Sequence, residues 1–474
     1  MKDSKLLYFL HRISDEEFSA FQQYVDSPLF NRRNALKRLL KVLGKYRDLE
    51  PPLPSREEIY KKVYGKQPFN ERSLRTGMAQ LFALLRDFLA FQQYQKDEVA
   101  QQRYLLEKTF EIQAEKFFID YYEKACKNLE RNSLYSADRH LERMLLEELN
   151  LEHATFYPTR NAEEVAEQAE FHLMTSFIAR FLRYELQRVT AAGNFKARGG
   201  AAALRRSFID KMVGELSDLP PTVRVYALLL RALEHPEDEI YFFKAREILS
   251  RAHKDFSFTE SSELYTATLN YATRKINQGQ REFLHHSFAI YMEMLDAELL
   301  TKRGELYAPH FKNILNTALR LEKFEWAGEF LATWRHKIYP DHAENAFHFN
   351  QGMLHFYKAE YAEAATCFHR VLQDYKDVFY GLNASGYLLQ IYYELGETQS
   401  LESIAHALRV RLGRSKMISD AKREQYLSFI RYLLRLMNTP LQDRKRLEKL
   451  REDIQANKKG MGTKWLLEKI AALL

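Results

Sequence analysis

Apolar residues along this chain recur three and four positions apart, the spacing of one helix face, and the gaps between such runs carry helix-capping residues. Ser14 with Glu17 forms a capping box, and Phe18, Phe21 and Val25 follow as a single stripe that Pro28 stops. Asn31 is placed to cap a second helix with Leu36, Leu39, Leu40 and Leu43 on one face. Its opposite face is basic, with Arg32, Arg33, Lys37, Arg38, Lys41 and Lys45. A stiff connector, Pro51-Pro52-Leu53-Pro54, leads to a second capping box at Ser55 and Glu58, a short helix to Tyr64 and a stop at Gly65. Asn70 then caps a helix carrying Leu74, Met78, Leu81, Leu85 and Phe88. Residues 98–131 read as helix without a breaker, Asn132-Ser133 as a turn, and Leu134 to Leu149 as helix again. His153 to Arg160 reads as a loop and 161–192 as one long helix. Gly193 to Gly200 has the most flexible composition and marks an expected domain boundary. Beyond residue 412 two or three helices close the chain; Thr463 is expected to cap the last, with Trp465, Leu466 and Ile470 docking it as a lid.

A longer period overlies this one. An aromatic or small residue followed three positions later by a packing residue occurs at Phe242/Ala245, Phe283/His286, Phe324/Ala327, Tyr361/Ala364 and Thr398/Leu401. The first members lie 41, 41, 37 and 37 residues apart. Periods in this range belong to stacked helix hairpins, each of which buries its apolar face against its neighbours. The fold expected is therefore all-α: a helix-hairpin repeat superhelix behind an N-terminal helical domain. The expected divisions are 1–97, a basic N-terminal domain; 98–200, a long-helix middle; 201–412, the repeats; and 413–474, C-terminal capping helices.

The segment from Gly352 to Leu372, with Tyr361, Ala364 and Phe368 between, resembles a tetratricopeptide repeat. The next unit keeps Leu388, Tyr392 and Gly396 but has Leu401 where a small residue is expected; the unit before keeps Phe324, Ala327 and Leu331. The first-helix Trp is replaced by His348, the Leu before the Gly by Gln351 and the closing Pro by Lys376. The resemblance runs over roughly 220–412. It implies a concave groove lined by the first helix of each unit, in which some family members grip a partner's C-terminal carboxylates. Lys312, Asn316 and Asn350 fall on three of five gripping positions, with Arg320 one turn beyond Asn316. Asn383 and Tyr387 stand where basic residues are expected. Phe349, Met353 and Gln390 complete the expected lining. The alternative is that these polar residues only solvate a helix face.

Composition narrows the class. Of 474 residues, 46% are hydrophobic and 28% charged, enough for a large core, and the scarcity of Gly (17) and Pro (12) disfavours strand-rich folds. Two distant cysteines, Cys126 and Cys367, exclude a disulfide scaffold and fit a reducing compartment. The start of the chain is too short in apolar residues and too charged for a signal peptide, and no run is long enough to span a membrane. A cytoplasmic location is expected. Net charge is +7, but residues 27–86 hold 14 Lys and Arg against 5 Asp and Glu, a local +9. Such a block can meet nucleic acid or an acidic protein. The stretch from Ser55 to Gly65 followed by Asn70 to Leu81 is similar to the helical core of winged-helix DNA-binding domains, which in bacterial activators can precede tetratricopeptide-like domains. That resemblance implies that Arg72, Arg75, Thr76 and Gln80, with Arg33 and Lys37, face base edges or phosphates. The wing hairpin that should follow is replaced by a helical continuation from Ala90 to Ala100.

No catalytic constellation appears. There is no phosphate-cradling Gly-Lys-Ser/Thr loop, no His-Glu-x-x-His and no Gly-x-Ser-x-Gly elbow. Glu344, His348 and His355 share a face but read as packing rather than as a metal site. No cofactor and no catalytic or metal-ligating residue is expected. The function expected is a non-enzymatic scaffold that binds a protein or peptide in its groove, and the alternative is a DNA-binding regulator using residues 31–89.

Overall fold

The capping signals at Ser14, Ser55 and Asn70 each close a helix start. The Ser14 and Ser55 hydroxyls accept from the Glu17 and Glu58 backbone amides while those glutamates bond back to the cap amides, and Asn70 Oδ1 accepts from the Ser73 amide at 2.9 Å. The computed structural model describes residues 4–47, 54–132, 136–157, 162–192, 211, 220–302, 304–339, 343–373, 378–415, 418–440, 442–456 and 462–474. Among them are 22 α-helices that pack in succession against their neighbours, giving an all-α helical-repeat superhelix with an N-terminal helical domain. Residues 51–53 of the connector, Ser133, Pro158, the boundary at 193–200 and Lys376 lie outside the described residues.

The chain divides into two units, Met1–Ile178 and Ala179–Leu474. In the first are α1 (Lys5–Leu10), α2 (Asp15–Asp26), α3 (Asn34–Gly44), α4 (Arg56–Tyr64), α5 (Glu71–Lys96), α6 (Glu98–Glu111), α7 (Glu115–Asn132) and α8 (Ala137–Phe156), with α9 (Ala162–Ala192) running across the division. The apolar stripes of α1 to α5 meet in one core around Phe21, Leu39, Leu81 and Leu85. Gly77 allows α5 to come close, since a Cβ there would lie 3.0 Å from the Tyr64 hydroxyl. Asn31 does not cap α3. Buried, it donates from Nδ2 to the Val25 carbonyl at 2.9 Å and accepts at Oδ1 from the Arg33 amide, tying the end of α2 to the start of α3. The unbroken helix expected over 98–131 is two helices, because Gln113 takes a left-handed φ of 56° and turns the chain between α6 and α7. The loop expected from His153 begins later, since α8 continues to Phe156.

The second unit contains α10 (Pro221–Glu234), α11 (Glu239–Ala252), α12 (Phe258–Asn277), α13 (Phe283–Asp296), α14 (Ala308–Arg320), α15 (Phe324–Trp334), α16 (Ala343–Tyr357), α17 (Tyr361–Gln373), α18 (Val378–Glu394), α19 (Thr398–Arg414), α20 (Asp420–Met437), α21 (Arg444–Ala456) and α22 (Thr463–Leu473). The recurring pair opens α13, α15, α17 and α19 and falls one turn further along α11, in each case the second helix of the hairpin. Ala245, Ala327, Ala364 and Leu401 are buried there, and His286 is half-buried. Gly352 matters for the close approach of α16 and α17: a Cβ would lie 2.9 Å from the Phe368 ring.

The turns repeat as well. The amides of Lys323, Glu360 and Glu397 bond to the carbonyls of Ala318, His355 and Tyr392 at 3.0, 2.9 and 2.9 Å, the six-to-one bond of a Schellman ending. Glu322, Ala359 and Gly396 sit at the left-handed position of each turn, with φ of 59°, 59° and 70°. A small hairpin of β1 (Thr301–Lys302) and β2 (Glu305–Leu306), absent from the sequence expectation, precedes α14. At the C-terminus, Leu466 and Ile470 are fully buried, so α22 docks as a lid, but its cap residue is Gly462, not Thr463.

Candidate functional site

The first helices of successive hairpins, α14, α16 and α18, followed by α20, bring the expected groove residues together unevenly. On α14, Lys312 and Asn316 are half-buried and Arg320 is exposed, one turn apart in a row. Lys312 Nζ lies 5.3 Å from the Phe349 ring centroid, within cation–π range. Four expected lining residues are placed in the core instead. Phe349 packs edge-on to Phe368 at 5.6 Å and sits 5.3 Å from Tyr380, because its position on α16 faces the next hairpin. Met353, one turn on, is buried with it. Asn350 is fully buried; its Nδ2 donates to the Ala346 carbonyl at 2.7 Å, and its Oδ1 has no hydrogen-bond partner. Gln390 is buried and donates to the Gly386 carbonyl at 3.4 Å. Asn383 stays half-exposed on α18, accepting from the Tyr426 hydroxyl at 3.0 Å.

Tyrosines fill the space that basic residues were expected to occupy. Tyr387 stacks on Phe368 with ring centroids 5.0 Å apart. Burial, with the Tyr357 and Tyr426 phenols beside it, pushes its phenol well above the ordinary value. Burial also raises Tyr357, against the pull of the Arg320 guanidinium. Lys422 Nζ lies 5.8 Å from the Tyr426 ring. Three cationic side chains, on α14 and α20, therefore border a wall of phenols that remain protonated at neutral pH. Such a wall can donate hydrogen bonds to carboxylate oxygens while the cations supply charge. Periodicity could have flagged Tyr357 and Tyr426, which continue the first-helix faces, but the sequence reading passed over both.

The basic block of the first unit presents α5. Arg72, Arg75 and Thr76 are exposed on its outer face, away from Leu74 and Leu81. Gln80 is half-buried and accepts from Arg33 Nη1 at 2.6 Å, while Lys37 donates to the Asp26 carbonyl at 2.8 Å. Three of the expected nucleic-acid contacts, Gln80, Arg33 and Lys37, are thus engaged within the fold. α5 continues as helix to Lys96, and the only strands among the described residues are 301–302 and 305–306, so no wing follows it.

A buried polar cluster in α7, α8 and α9 went unanticipated. Glu147 is buried and accepts from Tyr122 Oη at 2.7 Å, Arg143 Nε at 2.7 Å and Asn150 Nδ2 at 3.4 Å. Beside it His140 Nδ1 and His172 Nδ1 lie 2.9 Å apart, one donating and the other accepting. Burial lowers both imidazoles to about 4. No group of three His, Cys, Asp or Glu among the described residues is placed to hold a metal ion. His348 and His355 turn to different partners, Glu344 at 3.5 Å and Glu360 at 2.5 Å. No described helix is long and apolar enough to cross a membrane, and both cysteines are free and buried. No protein-family model matches the chain, and no curated protein matches it.

Proposed function

We propose that this chain is a cytoplasmic, non-enzymatic scaffold whose tetratricopeptide-like hairpins hold a peptide or protein segment in the groove of α14, α16, α18 and α20. The observation that supports it is the row of Lys312, Asn316 and Arg320 on one first helix, the first two half-buried and the last exposed, beside protonated phenols on the next two. This combination suits a carboxylate-bearing segment, because the cations offset its charge and the amide and hydroxyl donors satisfy its lone pairs. The test is capture of partners from native lysate by the wild type and by Lys312→Ala with Asn316→Ala. The double variant is expected to lose the partners while its helix content by circular dichroism stays the same; undiminished recovery removes the groove reading.

A second reading, DNA binding by α5, is favoured by one observation: Arg72 and Arg75 are exposed in a block of local charge +9. Neutralised phosphates release counterions, so such binding weakens steeply with salt. Retention of duplex at low salt decides nothing, since any surface of this charge retains some. The deciding measurement is selection from random duplexes near physiological salt with competitor present, using wild type and Arg72→Glu with Arg75→Glu. Without a sequence preference that the double variant loses, the regulator reading is abandoned.

A further inference from the structure

The first unit presents two surfaces of opposite charge, each with apolar side chains left open to solvent. One is the turn after α2, residues 27–33. Leu29 is 82% exposed and Phe30 39%, and Arg32 and Arg33 follow them, both exposed. The turn is firmly held. Buried Asn31 ties its two ends, the Leu29 and Asn31 amides donate to Ser27, and Phe30 stacks on Tyr24 at 4.0 Å. Of the carboxylates near it, Asp26 is paired with Lys37, and Asp87 stands against Arg32, Arg33 and Arg86.

The other is the N-terminal half of α9. Glu163, Glu167, Glu170, Phe171 and Met174 recur three and four positions apart and so share one face. The three carboxylates are exposed and join no ion pair among the described residues, and Phe171 and Met174 are 48% and 58% exposed. α8 runs alongside, joined by Ser176 Oγ on the Ala137 carbonyl at 3.0 Å and by the His140–His172 pair, and it adds exposed Glu148 and Glu152. Its cations, Arg139 and Arg143, are half-buried toward Glu130 and Glu147. Residues 144–178 hold seven Asp and Glu against one Lys or Arg, a local −6 in a chain of +7. That one is Arg160, outside the described residues, and the first cation along α9 is the half-buried Arg180. Glu163 offsets the positive end of the helix, but Glu167 and Glu170 lie past the first turn, where the dipole gives them no such role.

We propose that the 27–33 turn of one copy of this chain docks on the α9 face of a second copy. Leu29 and Phe30 lie against Phe171 and Met174, and Arg32 and Arg33 reach Glu167 and Glu170. Apolar area closes on apolar area, and the opposite charges at its border set the orientation. Because the two surfaces differ, the contact made once links copies in an open series, and made reciprocally it closes a pair. It lies in the first unit and does not depend on the groove.

The test is sedimentation velocity of the full chain over a range of concentrations, at low and at physiological salt. Wild type is expected to self-associate, more strongly at low salt, because salt screens the charges at the border. Leu29→Ser with Arg32→Gln removes one surface, and Glu170→Gln with Met174→Gln removes the other. All four positions are exposed, so the unfolding midpoint should hold, and each variant alone should associate at least about tenfold more weakly. An equimolar mixture of the two variants is the decisive arm. The first keeps the α9 face and the second keeps the turn, so the mixture should form pairs and nothing larger. Lys312→Ala with Asn316→Ala should associate as wild type does, which separates this contact from the groove. Wild type that stays monomeric at every concentration gives the two surfaces to a different protein and overturns the proposal. Either surface variant associating as wild type does, or a mixture that stays unpaired, overturns it as well.

Discussion

The repeats of the second unit and the α7–α9 region of the first are both helical, yet they are held together by different means. Between α16 and α18 the contacts are apolar and periodic: Gly352 admits Phe368, Phe368 stacks on Tyr387, and Ala364 sits fully buried in the next first turn. Between α7 and α9 they are polar and singular: Glu147 gathers Tyr122, Arg143 and Asn150, and two imidazoles share a hydrogen bond. A periodic apolar contact can be changed in one unit while its neighbours still pack, so its loss is graded. A buried charge with its partners removed has no substitute, because water cannot reach it. The two regions should therefore fail differently, and they can be watched separately. All three tryptophans, Trp326, Trp334 and Trp465, lie in the second unit, so their fluorescence reports that unit while circular dichroism reports both.

The largest effect is expected at Glu147. Glu147→Ala removes the acceptor that Tyr122, Arg143 and Asn150 share, leaving Arg143 with Glu130 at 3.7 Å, and should cost the first unit about 3 kcal/mol. In urea, the circular dichroism transition should gain an early phase while the tryptophan midpoint stays put; a shift of both together would mean that the regions unfold as one. Next is Ala364→Leu, which forces a larger side chain into the α16–α17 contact and should cost about 1–3 kcal/mol. Here the tryptophan midpoint should fall, and an unchanged midpoint would sink the hairpin register.

The histidine pair gives the comparison a pH axis. His140 and His172 are lowered from 6.5 to about 4, chiefly by burial, with Arg139 and Arg143 also disfavouring the charged form and Glu147 opposing this at His172. The unfolded chain then binds more protons than the folded one below 6.5, so stability falls as pH drops from about 6.5 toward 4 and changes no further below that. A second proton would also set two N–H groups face to face across 2.9 Å. Lowering the pH from 7 to 5 should weaken the first unit more than the second. The double variant His140→Phe with His172→Phe should reduce that difference; an identical pH slope in wild type and variant removes the pair as its source.

How legible each region was in the sequence follows from the same contrast. The hairpin order was readable because the pair beginning at Phe324 and Tyr361 opens the second helix at a fixed offset, and a fixed offset survives changes of residue. Capping boxes at Ser14 and Ser55 were readable because their donors and acceptors are local. The break at Gln113 was not, since its left-handed turn uses neither Gly nor Pro. The Glu147 cluster was not readable because its members are spread over three helices, and a charged residue on a helix looks the same in sequence whether it faces water or Arg143. For the proposed groove, spacing could not separate Lys312, Asn316 and Arg320, which reach the surface, from Asn350 and Gln390, which are buried. Burial is decided by which way the neighbouring hairpin leans, which is a tertiary matter.

The smallest effect is the sharpest test of repeat equivalence. Ala359 and Gly396 occupy the same position in successive turns, both left-handed, with φ of 59° and 70°, and each is followed by the same six-to-one bond. An L-residue with a Cβ is strained in that region, whereas glycine enters it freely at the cost of a looser unfolded chain. Nothing lies within 4 Å of where a Gly396 Cβ would stand, so packing does not intrude and the backbone alone sets the sign. Ala359→Gly should therefore raise the stability of the second unit by about 0.5–1 kcal/mol, and Gly396→Ala should lower it by a similar amount. The tryptophan midpoint in urea measures both. Opposite shifts of like size mark the two turns as one device used twice, whereas shifts of the same sign would mean that the hairpins share a period but not a turn.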